Sequence, residues 1–169
     1  MATKGLHSLS IHRQDGNEGI VYDDAPGEET GQTYNVGAPL VYDVSTDATA
    51  EIEEWAGGTD TARIIGIAVK DAVETAGSSV PYYEANDYNL FQGSLINGTD
   101  AYTLLGTELG ETYSLVKATN EDWYIDVTAT STDNPAIVEC VGLIDAVDDI
   151  NPRVICRFLG GKQSRVLQS

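Results

Sequence analysis

Cysteine, histidine and basic residues are what this chain is short of, and each shortage removes a class of function. There are two cysteines, Cys140 and Cys156, and two histidines, His7 and His12, in 169 residues. Two cysteines cannot build the disulfide framework of a small secreted domain, and neither stands in a Cys-x-x-Cys pair of the kind that holds zinc. His7 and His12 are spaced so that they do not share a helix face, which argues against paired metal ligation. Both also fall in an N-terminal stretch expected to be mobile, where nothing would preorganise a catalytic imidazole. Long apolar runs are missing as well. No segment approaches the ~20 apolar residues of a membrane span, and Met1-Ala2-Thr3-Lys4-Gly5-Leu6 lacks the apolar stretch of a signal peptide. Synthesis in a cytoplasm without a membrane partner is the expectation.

The scarcity of positive charge is local. Between Asp15 and Ile150 stand all 27 acidic residues and only Arg63, Lys70 and Lys117, whereas residues 1–14 carry Lys4 and Arg13 and residues 151–169 carry Arg153, Arg157, Lys162 and Arg165 without an acid. The formal net charge is −18. Such a body repels both nucleic acid and copies of itself within the screening length, so nucleic acid is not an expected partner. The two basic ends become candidates for contacts that the body cannot make.

What the chain does contain is a succession of short runs rich in Val, Ile, Thr and Tyr, punctuated by Gly, Pro, Asn and Asp. That is the pattern of consecutive β-strands. Strands are expected at 19–23, 36–44, 48–55, 62–70, 79–84, 88–95, 112–118, 122–129, 136–144 and 153–159. The fold class read from them is all-β: a single β-barrel or β-sandwich of about ten short strands with one short helix and flexible N- and C-terminal arms. The arm and acidic lead-in take residues 1–33, the barrel 34–159 and the tail 160–169. In Trp123-Tyr124-Ile125-Asp126-Val127 the alternation puts Trp123, Ile125 and Val127 on a core face. Ile64-Ile65-Gly66-Ile67-Ala68 is nearly continuous and reads as a central strand, with Gly66 marking a bulge or a close backbone approach. The 48–55 run also fits helical spacing, but Gly57-Gly58 stops it early, which favours strand. The helix is expected at Ala101-Tyr102-Thr103-Leu104-Leu105, capped by Thr99 or Asp100 and ended by Gly106. If 136–144 and 153–159 pair about Asp148, Cys140 and Cys156 face each other as two reduced, buried thiols.

The chain holds no Gly-x-Ser-x-Gly elbow, and Gly160-Gly161-Lys162-Gln163-Ser164 lacks the earlier glycine of a phosphate loop. Carboxylates are so numerous that a glycosidase-like pair carries no information by residue type. Asp23-Asp24 with Glu28-Glu29, and Asp145 with Asp148-Asp149, depart from the spaced calcium-loop pattern and read as solvated acidic loops. No catalytic residue, metal site or cofactor is expected.

Three stretches carry a resemblance: Asn35-Val36-Gly37-Ala38-Pro39-Leu40-Val41, Val80-Pro81-Tyr82-Tyr83 leading to Asn89-Leu90-Phe91-Gln92-Gly93, and Leu109-Gly110-Glu111-Thr112-Tyr113-Ser114-Leu115. With Ile64–Ala68, Trp123–Asp126 and Arg153–Phe158, the order from Tyr34 to Leu159 resembles the β-barrel head decoration, or cement, proteins of tailed bacteriophages. The resemblance implies a homotrimer on the outer capsid surface of the virion that adds no chemistry and stabilises the expanded shell. It implies the major capsid protein as partner, met by an N-terminal arm whose contact residues would be Lys4, Leu6, His7, Leu9, Ile11 and Arg13. The arm has too little apolar surface to fold alone and is expected to be disordered until it docks. Its charge opposes that of its own body, so folding back onto that body is the alternative. A carbohydrate- or receptor-binding module that stacks ligands on Trp55, Tyr82 or Tyr83 is the competing function, and a carboxylate-dependent hydrolase a weaker third.

Overall fold

The computed structural model describes residues 1–13, 20–23, 27–43, 51–57, 63–86, 88–128 and 136–159. Twelve strands run in order: β1 Ser10–Arg13, β2 Val21–Asp23, β3 Pro39–Asp43, β4 Glu51–Glu54, β5 Ile64–Ala68, β6 Val80–Glu84, β7 Leu90–Asn97, β8 Asp100–Ala101, β9 Thr112–Lys117, β10 Trp123–Asp126, β11 Val138–Leu143 and β12 Arg153–Phe158. None of the described residues is helical. The all-β reading holds; nine of the ten expected runs contain one of these strands, and the tenth, 88–95, covers β7 up to Leu95.

The strands form two sheets. In the larger, β7-β10-β9-β11-β12 closes on itself because β12 also pairs with β7, while β1 and β8 attach to the free stretches of β7. Closure removes the exposed edges that would otherwise template aggregation. The β7–β10 pair is parallel, and the other pairs of the ring are antiparallel. The smaller sheet has the order β2-β6-β5-β3-β4, which makes β5 central, and all five of its residues are buried. The near-continuous apolar run of β5 follows from cover on both faces. Gly66 is where β6 comes too close for a side chain: a Cβ there would lie 2.3 Å from the Tyr82 ring and 2.5 Å from the Tyr83 carbonyl oxygen.

One apolar cluster draws on both sheets. Leu40, Ile52, Trp55, Ile64 and Ile67 from the smaller meet Phe91, Leu95, Leu115, Trp123, Ile125, Val138, Val154 and Phe158 from the larger. Trp55 and Trp123 are tilted against each other at 5.5 Å, and Phe91 meets Phe158 edge-on at 5.1 Å. A polar knot seals the seam beside the tryptophans. Trp123 Nε1 donates to Glu54 Oε1 at 2.7 Å, Lys117 Nζ to Glu54 Oε2 at 2.7 Å, and Lys117 also pairs with Glu121. Trp123, Ile125 and Val127 do face the core. Tyr124 and Asp126 are buried too, so β10 is covered on both faces rather than one.

Two expectations need correction. The segment 101–105 is not a helix: Asp100–Ala101 pairs with β7, and Thr103 bridges Ile150. Leu104 is drawn into the core and exchanges backbone hydrogen bonds with Asp148 and Asp149, which outweighs a weak five-residue helical preference. Nor is the N-terminus a free arm. Ser10–Arg13 is a strand on β7, and Leu9 is fully buried. The tail 160–169 lies outside the described residues.

The cysteine register is as expected. Cys140 is directly opposite Cys156 in the β11–β12 ladder, and both are free and buried. One step beyond, the register slips between Cys140 and Gly142, which leaves Val141 as the extra residue of a bulge.

Candidate functional site

The residues expected to meet a capsid can be followed one by one. Lys4 bonds to this chain's own turn: its amide donates to the Ile150 carbonyl at 2.9 Å, and its ammonium lies 3.2 Å from Asp149 Oδ2 and 3.8 Å from Asp145 Oδ1. The Ala2 amide donates to Asp149 Oδ1 at 2.7 Å. Arg153 completes the latch by donating to both oxygens of Asp145 at 3.0 Å. Its guanidinium, aided by Lys4, holds the Asp145 carboxyl below the usual carboxylate range, and the Ala2 amide with Lys4 does the same for Asp149. Asp145 and Asp149 are thus tied to cations and amides of this chain rather than solvated, the state expected from the sequence.

His7 has an exposed ring, while its backbone exchanges hydrogen bonds with Ser94. Leu6 is half exposed and lines a cleft of about 450 Å³ with Ile96, Val116, Tyr124 and Asn151. Leu9 passes through the middle of the molecule. Its amide donates to the Trp123 carbonyl, and its own carbonyl oxygen would lie 2.3 Å from a Cβ on Gly37, whose φ is +92°. Gly37 therefore both adopts the left-handed conformation and makes room for the N-terminal strand. Ile11 packs against the core, and His12 Nδ1 lies 3.0 Å from Gln92 Oε1. Arg13 faces Leu90 in the ladder, and the expectation for its side chain falls outside the described residues. Of the six, Lys4, Leu9 and Ile11 are held by the body, and Leu6 and His7 face outward.

The aromatic candidates also move inward. Trp55 and Tyr82 are buried, and Tyr83 is half-buried against the core. Tyr88, from the same stretch, is 69% exposed.

Two acids are fully buried: Glu28, expected from the sequence in a solvated acidic loop, and Glu108, which the sequence reading did not single out. Glu28 accepts the Tyr34 hydroxyl at 2.9 Å and the amides of Val73 and Glu74. Burial and this neighbour push the Tyr34 phenol up. Glu108 sits inside the 102–111 loop, where Oε1 accepts the Tyr102 hydroxyl at 2.9 Å and the Leu105 amide at 2.8 Å, and Oε2 is buried without a protein partner. Burial raises its affinity for a proton, and the loop amides and Tyr102 more than reverse this, so the carboxyl stays below its usual range. Burial and Glu108 together push Tyr102 up to about 12. Both acids organise turns by collecting the donors that loops leave unpaired. Their only sequence signal was an acid within two residues of a Gly, which many exposed turns share.

A third grouping, Glu29, Asp43 and Glu53, brings one oxygen from each carboxylate within 4.8 Å of the others. Glu29 accepts the Gln32 side-chain amide at 2.9 Å. All three are half-buried: Asp43 of β3 and Glu53 of β4 lie diagonally across the ladder, and Glu29 joins them from a segment outside both strands whose amide donates to the Ile52 carbonyl.

Several exposed aliphatics lie on the 104–110 loop, the β11 bulge and the β11–β12 turn, while Leu6, Val36 and Val73 are exposed elsewhere. The loop 104–110 lies against the β11–β12 turn through Asp148 N to Leu104 O and Leu104 N to Asp149 O, and against β11 through Gly110 N to Cys140 O. Leu105, Leu109 and Val147 are 61%, 56% and 51% exposed, and the bulge residue Val141 is exposed beside them. Comparison with family models, curated proteins and solved structures gives no match for this chain.

Proposed function

We propose that this chain is a structural protein that coats the outer surface of a tailed-phage capsid as a homotrimer and stabilises the expanded shell. The observation that carries the reading is how its polar groups are engaged. Glu28, Glu54, Glu108, Asp145 and Asp149 are each held by amides, hydroxyls or cations of this chain and act as struts. An acidic exterior and exposed aliphatics on stiff loops remain for contact. Many copies on a repeating lattice can hold firmly through individually weak contacts, because neighbouring sites keep the effective concentration high.

The sugar-binding alternative loses support where it was most specific, since Trp55 and Tyr82 cannot stack on a ligand from the core. The test is co-sedimentation of the purified chain with expanded and unexpanded heads built from the capsid protein of the same genome. Saturable binding to expanded heads, with a raised temperature of shell rupture, is expected. Equal or absent binding to both forms overturns the reading.

A further inference from the structure

We infer that Cys140 and Cys156 form a cross-strand redox pair, which a small-molecule disulfide converts into a bridge between β11 and β12 while that hairpin is open. The inference is independent of the proposed coat role and adds a covalent modification site to the chain.

The backbone sets the pair where a bridge fits. Cys140 donates its amide to the Glu111 carbonyl at 2.9 Å and accepts the Gly110 amide on its carbonyl at 2.8 Å, so both groups turn away from β12. Along β12 the directions alternate. The Pro152 carbonyl accepts the Leu95 amide at 2.8 Å, and the Arg153 carbonyl accepts the Ile144 amide at 3.1 Å, which puts the backbone groups of Cys156 on the β7 side. Cys140 and Cys156 are therefore a non-hydrogen-bonded pair of the ladder. Such a pair brings its Cα atoms to about 4.5 Å with both side chains on one face, inside the span of about 4.4–6.8 Å that disulfides bridge. The bulge at Val141 follows at once and leaves β11 slack for the sulfurs to settle. Cys140 Sγ now lies along its own strand, 3.6 Å from the Gly142 carbonyl oxygen, and a turn of this side chain brings it to Cys156.

The fold decides when the reaction runs. Both thiols are fully buried, out of reach of an external disulfide. Burial, with the charges of Glu108 and Glu139, also pushes the Cys140 thiol up to about 11, and burial with Cys140 pushes Cys156 higher. Once β11 and β12 part, the thiols regain their ordinary acidity of about 8.5. One thiolate then attacks the sulfur–sulfur bond of the reagent and releases one small thiol; the second thiolate attacks the mixed disulfide and releases another. The chain loses two hydrogens and two electrons, and the reagent, reduced to two thiols, takes them. On reclosure the ring holds β12, the strand that shuts it against β7, by a covalent bond to β11.

The test compares the reduced full chain refolded from urea with oxidised glutathione and with dithiothreitol. A second arm incubates the folded chain with oxidised glutathione, with and without urea below the unfolding transition. Mass after alkylation in denaturant reads the bridge. Oxidative refolding is expected to give a single chain lighter by two hydrogens and free of adducts. Its thermal midpoint should lie about 5–10 °C above that of the reduced form and return to it with dithiothreitol. Cys140→Ala and Cys156→Ala should each remove that rise. The folded chain should keep two alkylatable thiols and oxidise at least about tenfold faster when urea is added. Two alkyl adducts after oxidative refolding, a lasting glutathione adduct, or a bridged chain that melts no higher than the reduced one overturns the pair. Oxidation of the folded chain at the same rate without urea overturns its control by the hairpin.

Discussion

Single side chains carry unusually specific duties here, and Glu108 is the sharpest case. Its folded pKa is depressed, as are those of Asp145 and Asp149. The unfolded chain then binds these protons more readily, so the stabilisation is complete above the ordinary carboxylate range of about 3.9–4.3 and is lost as pH falls through the folded values. Urea midpoints at constant high salt should therefore hold steady down to about pH 5 and then decline. Glu108→Gln, which keeps an acceptor for Leu105 and Tyr102, should make that decline shallower. Glu108→Leu should cost about 1–3 kcal/mol at neutral pH, because it leaves a buried amide and hydroxyl unpaired. The thiols give a second test at this scale. Burial pushes Cys140 up to about 11 and Cys156 higher still. Neither should react with iodoacetamide in the folded protein, and both should be alkylated in non-reducing denaturant; a mass without adducts would reveal a bridge.

At the scale of elements, the N-terminal segment behaves as a strand of the barrel sheet with its own core residue. Leu9→Ala should destabilise by about 2–5 kcal/mol, as for a fully buried leucine, whereas Lys4→Ala should cost only about 0–1 kcal/mol because its ammonium is partly solvated. Deleting residues 2–13 should lower the thermal midpoint and leave shell occupancy of the folded fraction largely intact. Loss of occupancy at an unchanged midpoint would instead make the segment a capsid anchor. The element pattern was largely legible beforehand. Alternation, Gly and Pro punctuation and β-branched content located β2 to β7 and β9 to β12, the central place of β5, the tight approach at Gly66 and the pairing of Cys140 with Cys156. What stayed hidden depends on distant partners. Ser10–Arg13 becomes a strand only because β7 offers an edge, and Ala101 to Leu105 gives up its helical preference because Ile150 and Asp149 bond to it. The meeting of the 104–110 loop with the β11–β12 turn and the Glu29, Asp43 and Glu53 grouping were out of reach for the same reason. Local sequence does not report which loops and strands become neighbours.

For the whole molecule, the distribution of charge sets behaviour in solution. With 27 acids and nine basic residues, repulsion between bodies dominates at low ionic strength. Light scattering should show the second virial coefficient falling as salt rises, and association, where present, should follow the same direction. Coating of heads by an apolar face would likewise persist at high salt, while coating through basic residues would wash off. A salt series on decorated heads separates the two.

The place of residues 2–13 also orders events during synthesis. Ala2 bonds to Asp149, His7 to Ser94 and Leu9 to Trp123, separations of up to 147 residues. The latest of these partners, Asp149, is made 147 residues after Ala2, so this stretch waits for much of the chain before it can be seated. Until then the slot between Gly37 and Gly93 lacks its leucine. Closing so long a loop is slow compared with local hairpin formation. A nascent chain arrested before Asn151 should be far more sensitive to protease than one extended through residue 169, because β12 has not been made and the ring of β7, β10, β9, β11 and β12 cannot close.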